Sequence, residues 1–371
     1  MSSKKNLKDL SCKISANNGA NQMGNKPAAL ILAEGYFGST YGKTAHGLVR
    51  YSERYKIIGV IDSKFAGQDA GYVLDGIRRN IPIFSSLKEA LPLKPDLLIV
   101  GVATDGGFLP SSYRPYIKEA LENGIGIVSG LHEFLSDDKE FKEIAERKGV
   151  QITDVRKIYL GMKRFFTGEI EEVKAIKVAV LGTDSAIGKR TTAIMLNEEL
   201  KRMGYNSVFV ATGQTGWMQG AEYCALIDAM INDFVAGGIE GEVVRAWREK
   251  KPDFIIIGGQ GSILHPAYPG SFEIIAAARP DAIILQHAPK RKFFDGFEKY
   301  RIPSLSRYIK VIKLLSGHGI AGIALNTEKM SEEEIMQYIK KYEAKYKVPV
   351  DAPIKSGVKK LAEAIAKLAE K

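Results

Sequence analysis

Short apolar runs alternate with amphipathic stretches along the 371-residue chain. In the first half these runs have the length of buried strands, and the stretches between them repeat apolar residues at helical spacing. Continuous apolar strands separated by helices are typical of parallel sheets that are covered on both faces. Strands are predicted there over 28–33, 56–61, 81–84, 97–103, 124–129 and 151–155.

The second half repeats this alternation with longer helices between the apolar runs. The chain therefore predicts an α/β protein of two doubly wound domains with mostly parallel sheets, over 27–160 and 161–371. A basic segment with few apolar residues precedes them, and we expect residues 1–26 to form a flexible tail. Strands in the second half are predicted over 177–181, 207–211, 254–258, 282–286, 311–315 and 319–325.

Composition narrows the class of protein. Hydrophobic residues at 45% and charged residues at 26% suit a globular core in each half. The longest apolar runs fall far short of the ~20 residues that a membrane-spanning helix needs, and no secretory apolar stretch follows the N-terminal lysines. The two cysteines, Cys12 and Cys224, exclude a disulfide framework. We therefore expect a cytoplasmic protein with no membrane contact, and we expect it to form a homo-oligomer.

The charge balance is 53 Lys and Arg against 43 Asp and Glu, a net charge of +10. Such a surplus favours acidic partners. Part of it lies in the predicted tail, and the chain has neither zinc-finger spacing nor the aromatic signature of an RNA-binding domain. We therefore expect a small anionic substrate and a phosphorylated cofactor as partners, and no nucleic acid.

The sharpest motif is the segment 182–189, Gly-Thr-Asp-Ser-Ala-Ile-Gly-Lys, which follows an apolar strand and opens a helix. Backbone amides of such a loop converge on phosphate oxygens, and the lysine adds a positive charge. The strict pattern is not met, because Thr183 stands at the first glycine and Arg190 at the hydroxyl residue that normally holds Mg²⁺. The residues predicted to bind the cofactor here are Gly182, Thr183, Asp184, Ser185, Gly188, Lys189, Arg190, Thr191 and Thr192.

Further polar segments follow strands of the second half, where ligands of open α/β sheets bind. His265 is predicted to be a general base, because an imidazole titrates near neutrality, and Asn326 is predicted to contact the cofactor. No His, Cys or carboxylate spacing predicts a metal site. The other candidates are Gln260 and Ser262 as catalytic residues, and Thr212, Gln214, Thr215 and, in the first half, His132 as substrate-binding residues.

The phosphate-loop segment resembles that of dethiobiotin synthetase-type enzymes. The fuller set of motifs resembles the family once labelled only as a domain of unknown function and now typified by D-glutamate N-acetyltransferase. In the second half the resemblance lies in 182–192, 211–216, 259–268 and 322–327, and in the first half in 43–52 and 128–138.

This resemblance covers about residues 28–355 and implies a Rossmann-like N-terminal domain and a P-loop NTPase-like C-terminal domain. It also implies acetyl transfer from acetyl-CoA to the amine of an acidic D-amino acid such as D-glutamate. One position departs from the family, which commonly reads Glu-Gly-Gln-Gly-Ser, because Gly258 stands in place of the Glu. Two alternatives remain open. One is a ligase or kinase that uses ATP with Mg²⁺ and resembles dethiobiotin synthetase; the other is a non-catalytic nucleotide-binding regulatory protein.

Overall fold

The computed structural model describes residues 26–370, so the predicted basic tail lies, apart from Lys26, outside the described residues. The chain divides into two units. Unit 1 takes the residues up to Gly161 together with Trp217–Glu222, and unit 2 takes Met162–Gly216 and the chain from Tyr223 onward. The division therefore falls beside the predicted boundary at 160/161, and the short segment 217–222 joins the first unit rather than the second.

Unit 1 contains a six-stranded parallel sheet among its described residues, in the order β3-β2-β1-β4-β5-β6. This is the strand order of a Rossmann fold, so the predicted α/β class and Rossmann-like architecture are confirmed. Its strands are β1 (Ala28–Leu32), β2 (Lys56–Ile61), β3 (Ile83–Phe84), β4 (Leu97–Val100), β5 (Gly126–Ser129) and β6 (Ile152–Asp154). Its helices are α1 (Lys43–Arg50), α2 (Ala70–Asp75), α3 (Leu87–Ala90), α4 (Arg114–Glu122), α5 (Lys139–Lys148) and α6 (Val155–Tyr159).

Unit 2 is built on a seven-stranded parallel sheet in the described residues, in the order β15-β14-β11-β7-β10-β8-β9. A two-stranded antiparallel hairpin, β12–β13, is inserted after β11. The strands are β7 (Ile176–Gly182), β8 (Ser207–Ala211), β9 (Tyr223–Cys224), β10 (Phe254–Gly258), β11 (Ala282–His287), β12 (Phe293–Phe294), β13 (Phe297–Arg301), β14 (Gly322–Leu325) and β15 (Val350–Asp351).

The helices of unit 2 cover both faces of this sheet. They are α7 (Lys189–Arg202), α8 (Gln214–Gln219, whose last turn belongs to unit 1), α9 (Asn232–Lys250), α10 (Ser271–Ala278), α11 (Leu305–Ser316), α12 (Glu332–Tyr346), α13 (Pro353–Ser356) and α14 (Lys359–Ala366). The start of α12 is fixed by a capping box, in which Ser331 and Glu334 bond to each other's backbone amides.

One predicted strand of the second half is wrong. Residues 311–315 form the C-terminal half of helix α11 instead of a strand. Tyr308 and Ile312 lie four positions apart on the buried face of this helix, whereas Leu314 is 84% exposed. A short apolar run by itself does not distinguish a strand from a buried helix segment. Here the spacing of the buried positions is that of a helix.

The central strand of unit 2, β7, is buried on both faces. Ala179 and Leu181 pack into one apolar cluster with helices α9 and α10. Val178 and Val180 pack into a second cluster with α7 and α14 on the other face. Because alternate residues of a strand point to opposite faces, β7 has no freedom to shift toward either side. The segment that follows its carboxyl end is therefore held in a fixed place.

Candidate functional site

The phosphate loop of unit 2 comprises residues 183–188, between the end of β7 at Gly182 and the start of α7 at Lys189. Gly188 precedes the helix with a φ of +100°, and Ala186 has a φ of +47°. Both angles lie in the left-handed region, which a non-glycine residue such as Ala186 adopts only when its surroundings hold it there. The loop is therefore a constrained turn at the carboxyl edge of the sheet, where open α/β proteins bind their ligands.

Side chains bond to the carbonyl oxygens of this loop, and the side on which the carbonyls of Ser185, Ala186 and Ile187 accept these bonds is its outer side. Consecutive carbonyl oxygens from Thr183 to Ile187 each accept a hydrogen bond from a side chain. The donors are Tyr308 Oη to Thr183 O at 2.8 Å, Lys189 Nζ to Asp184 O at 2.5 Å, Arg291 Nη1 to Ser185 O at 3.0 Å, Arg291 Nη2 to Ala186 O at 3.4 Å and Asn326 Nδ2 to Ile187 O at 3.0 Å. Asn326 thus supports the loop directly, and its predicted contact with a cofactor stays a prediction.

Lys189 is buried in a slot between two glycines. A Cβ atom at Gly182 would lie 2.7 Å from Lys189 Cδ, and one at Gly259 would lie 2.9 Å from the same carbon. A Cβ atom at Gly182 would thus force the Lys189 side chain to shift, and Gly259 needs glycine because its Cβ would also lie 2.0 Å from the backbone oxygen of Val180. The slot directs the ammonium group of Lys189 to the loop, where it adds the predicted positive charge.

The carboxylate of Asp184 is fully buried. It accepts hydrogen bonds from Ser185 N at 2.7 Å, Asp295 N at 3.1 Å and Arg291 Nη1 at 2.9 Å. Burial raises the pKa of the Asp184 carboxyl above its ordinary value, and the hydrogen bond from Arg291 opposes that rise. Since Asp295 lies in the β12–β13 turn, this carboxylate ties the hairpin to the phosphate loop.

His265 is enclosed by protein. Its side chain is 0% exposed, and its Nδ1 accepts hydrogen bonds from Ala267 N and Tyr268 N, both at 3.1 Å. The opposite ring nitrogen, Nε2, lies 3.5 Å from Asp184 Oδ1. A nitrogen that already accepts two amides has no lone pair left for a substrate proton. The predicted role of His265 as a base stays a prediction, and these contacts favour a role in positioning Asp184.

The other predicted residues after β8 and β10 do come close together. A Cβ atom at Gly213 would lie 3.2 Å from Gln260 Nε2, and Thr212 Oγ1 donates to Gly258 O at 2.8 Å. The remaining contacts are Gln260 Nε2 to Asp228 Oδ2 at 3.4 Å, Thr215 Oγ1 to Gln214 Oε1 at 3.0 Å, and the buried Ser262 Oγ with Tyr308 Oη at 3.3 Å. Gln260 is only half-buried, whereas Ser262, Thr212, Gln214 and Thr215 are buried.

The first turn of α7 differs from that of a magnesium-binding P-loop. Arg190 and Thr191 are half-buried there, and the hydroxyl of Thr192 donates to Gln286 Oε1 at 2.5 Å. In the described part of the chain, no group of three or more His, Cys, Asp or Glu side chains is arranged to hold a metal ion. The Thr192 hydroxyl is therefore engaged by the protein itself, and the predicted role of residues 190–192 in binding the cofactor stays a prediction.

Four residues that shape this site were not predicted from the sequence: Gln286, Arg291, Asp295 and Tyr308. Three of them bond to the loop across more than 100 residues of chain, and Gln286 bonds to Thr192 across 94. The one local signal was the polar pair Gln286-His287 at the end of an apolar run. The other three have none, since their neighbours in sequence do not mark them.

His287, at the end of β11, is the other buried histidine of this site. Its Nδ1 lies 2.9 Å from Thr183 Oγ1, and burial lowers the pKa of His287 to about 4. The ring is therefore neutral near pH 7. Among the described residues, Nε2 of His287 has no hydrogen-bond partner, and it can accept one in the tautomer whose Nδ1–H donates to Thr183 Oγ1.

We expect His287 to make the protein less stable in mild acid. In the unfolded chain this histidine binds a proton near its ordinary pKa of 6.5, whereas the folded chain holds it neutral down to about pH 4. The unfolded state then binds more protons in this range, so the free energy of unfolding falls as the pH drops, by about 2 kcal/mol at pH 5. Urea unfolding at pH 7 and pH 5 should show a smaller loss for His287→Gln than for the wild type. Equal losses in the two proteins would contradict the assignment.

Unit 1 contains the one predicted site residue outside unit 2. His132 is exposed, and its backbone amide donates to Gly107 O at 2.9 Å. Its predicted role in substrate binding stays a prediction. At the end of β2, Asp62 is fully buried and accepts Phe37 N and Lys64 N, both at 3.0 Å. In Rossmann folds an acid near this place binds the ribose of a dinucleotide, but here the carboxylate is engaged by the protein itself.

None of the helices formed by residues 26–370 has both the length and the apolar character needed to span a membrane.

Comparison with known families gives matches to both units. Residues 164–362 match a domain of unknown function, DUF1611_C, described as a P-loop domain. Residues 63–158 match its companion, DUF1611_N, described as a Rossmann-like domain. A crystal structure of a DUF1611 family protein from Anabaena variabilis is similar with a TM-score of 0.85 and 33% sequence identity, over 92% of this chain and 99% of that one.

Two curated relatives carry a functional name. A D-glutamate N-acetyltransferase of Tritonibacter scottomollicae is 33% identical over 273 residues, which are 69% of this chain and 77% of that protein. A D-glutamate N-acetyltransferase of a Pseudoalteromonas species is 32% identical over 255 residues, which are 67% of this chain and 75% of that protein.

Proposed function

We propose a function on the premise that this chain belongs to the DUF1611 family, in which two relatives are named D-glutamate N-acetyltransferase. The proposed reaction transfers an acetyl group from acetyl-CoA to the amine of an acidic D-amino acid such as D-glutamate. The observation that carries the proposal is the phosphate loop at 183–188, joined to a buried lysine and to a helix start without the usual metal-binding hydroxyl.

The loop fits the phosphates of CoA. The backbone amides of Ala186, Ile187 and Gly188 donate to no acceptor among the described residues. Lys189 brings an ammonium group to the same turn. Amides and a lysine at a helix N-terminus are what an anionic phosphate needs. When bound, acetyl-CoA supplies the thioester carbonyl as the acetyl donor. The role of residues 186–189 is to bind and orient its phosphates.

Two features of unit 2 favour CoA over ATP with Mg²⁺. Arg190 stands where a P-loop NTPase has the hydroxyl residue that holds the metal. Gly258 stands at the end of the neighbouring strand, where the family commonly has a Glu, and its carbonyl accepts the Thr212 hydroxyl. The phosphates of CoA need no bridging metal, so a loop that relies on amides and a lysine suits them.

The acceptor amine must lose a proton to attack the thioester. We propose that the neutral ring of His287 takes the tautomer whose Nδ1–H donates to Thr183 Oγ1, so that its Nε2 accepts the hydrogen bond of this amine. His265 Nδ1 already accepts two backbone amides, so the His265 ring suits the task of holding Asp184 in place. Gln260, half-buried beside Gly213, offers an amide for the carboxylates of the acceptor.

The test is a direct assay on the purified full chain. The protein is incubated with acetyl-CoA and D-glutamate, and in parallel with L-glutamate or D-alanine; release of the CoA thiol and the mass of the N-acetylated product are measured. We expect N-acetyl-D-glutamate in amounts that the chelator EDTA does not reduce. No acetylation of any acidic D-amino acid would contradict the proposal. Calorimetry then separates the alternatives, since metal-dependent ATP binding indicates a ligase or kinase, and nucleotide binding without turnover indicates a regulatory protein.

A further inference from the structure

The hydrogen bonds on the outer side of the phosphate loop have a consequence for its inner side. The carbonyl and the amide of one planar peptide unit point in opposite directions. Fixing the carbonyls of Ser185, Ala186 and Ile187 therefore also fixes the direction of the amides that follow them, on Ala186, Ile187 and Gly188. Among the described residues, these three amides have no acceptor. The donors behind the loop thus decide where the amides in front of it point.

Arg291 contributes more of these contacts than any other side chain described at the loop. Its guanidinium bonds to the carbonyls of Ser185 and Ala186 and to the carboxylate of Asp184. Its remaining donors bond to Glu328, from Nε at 3.1 Å and from Nη2 at 3.0 Å. The Arg291 side chain is only 10% exposed, so it does not itself offer a free donor to a ligand. It therefore acts on the loop through the carbonyl oxygens and leaves the amides to the ligand.

The backbone of Ala186 is held in a conformation that a residue with a side chain disfavours. Its φ of +47° is unfavourable for a residue with a Cβ atom, by roughly 1–3 kcal/mol. Its carbonyl bonds to Arg291, and the next carbonyl, of Ile187, bonds to Asn326. The guanidinium of Arg291 therefore fixes the peptide units on both sides of Ala186, through Ser185 O and Ala186 O, and the amide of Asn326 fixes the unit that follows them.

We propose that Arg291 is a positioning residue that orients the amides of Ala186, Ile187 and Gly188 toward one anion. Asn326 has the same role at a single carbonyl, that of Ile187. That the anion is the diphosphate of CoA rests on the proposed function. Arg291 acts without touching the ligand: it holds carbonyl oxygens outward, and the phosphate is bound by the amides and Lys189. Loss of Arg291 should weaken phosphate binding although no direct contact is removed.

The test measures binding before activity. Calorimetry gives the affinity of the full chain for CoA and for inorganic pyrophosphate, in the wild type and in Arg291→Met, Arg291→Lys and Asn326→Ala. Arg291→Lys retains the charge, but one ammonium cannot reproduce the planar set of contacts. We expect both Arg291 variants to bind each probe at least ~10-fold more weakly, and Asn326→Ala to show a smaller loss in the same direction.

Arg245 offers a matched control, because it is also a partly buried arginine of unit 2 with carboxylate partners, Glu242 and Glu249. It lies on α9, away from the loop, so Arg245→Met should leave both affinities unchanged. In the acetylation assay, Arg291→Lys should raise the KM for acetyl-CoA and leave the KM for D-glutamate unaltered. A merely structural role would lower the amount of active protein and move neither KM.

The outcomes separate this inference from the proposed function. If the wild type binds pyrophosphate but not CoA, the proposed function fails, and the Arg291 variants still decide the inference through pyrophosphate. Wild-type affinity for both probes in folded Arg291→Lys would overturn the inference. It would also be overturned if the wild type bound neither probe, since the loop would then not be an anion site.

Discussion

Gly259→Ala should cost roughly 3 kcal/mol of the free energy of unfolding, whereas Gly258→Ala should stay within about 1 kcal/mol of the wild type. A Cβ atom at Gly259 would lie 2.0 Å from Val180 O and 2.9 Å from Lys189 Cδ. Val180 belongs to β7, which is packed on both faces and cannot retreat. A Cβ atom at Gly258 would meet Phe209 at 3.4 Å and Val210 O at 3.6 Å, which are ordinary contacts.

The two glycines make a matched pair, because they are adjacent at the end of β10 and neither has a positive φ. Urea unfolding followed by circular dichroism measures both variants. Gly259→Ala should also lose affinity for CoA, since its methyl group would press on the lysine of the phosphate loop. Equal stability of the two variants would show that β7 and β10 separate easily and that the contact between Gly259 and Val180 is not tight.

The second large effect concerns Lys189. We expect Lys189→Met to bind CoA at least ~10-fold more weakly, a loss of about 1.4 kcal/mol. Methionine keeps an unbranched side chain in the slot between Gly182 and Gly259 and removes the ammonium group that now bonds to Asp184 O. The variant therefore tests the charge without opening a cavity, which Lys189→Ala would do. Calorimetry with CoA is the measurement.

Lys177 supplies the control for this variant. It is a buried lysine of β7, the strand that leads into the phosphate loop, but it lies near the beginning of that strand and is paired with Asp281 at 2.9 Å. Lys177→Met should lose stability and keep the wild-type affinity for CoA. Unchanged affinity in folded Lys189→Met would remove this lysine from the phosphate site.

The site shows where sequence information ends. The motif at 182–189 predicted a phosphate loop after a buried strand, and the structure forms that loop between β7 and α7. Nothing in the motif indicated that the Asp184 carboxylate accepts hydrogen bonds from Arg291 and Asp295, or that His265 uses its Nδ1 for two backbone amides. The partners of Asp184 lie far from the motif along the chain, whereas those of His265 are its near neighbours Ala267 and Tyr268, whose amides reach Nδ1 only through the turn that this loop adopts.

The sequence by itself determined the α/β class, most of the strands and the phosphate loop, because each leaves a local pattern. A buried parallel strand is a continuous apolar run, and a phosphate loop places glycine and lysine at a strand end. Only the tertiary structure decided that 311–315 is helical and that 217–222 belongs to the first unit. It alone brought Arg291 and Tyr308 against the loop. These features depend on contacts between residues distant in sequence, and such contacts leave no periodicity in the chain.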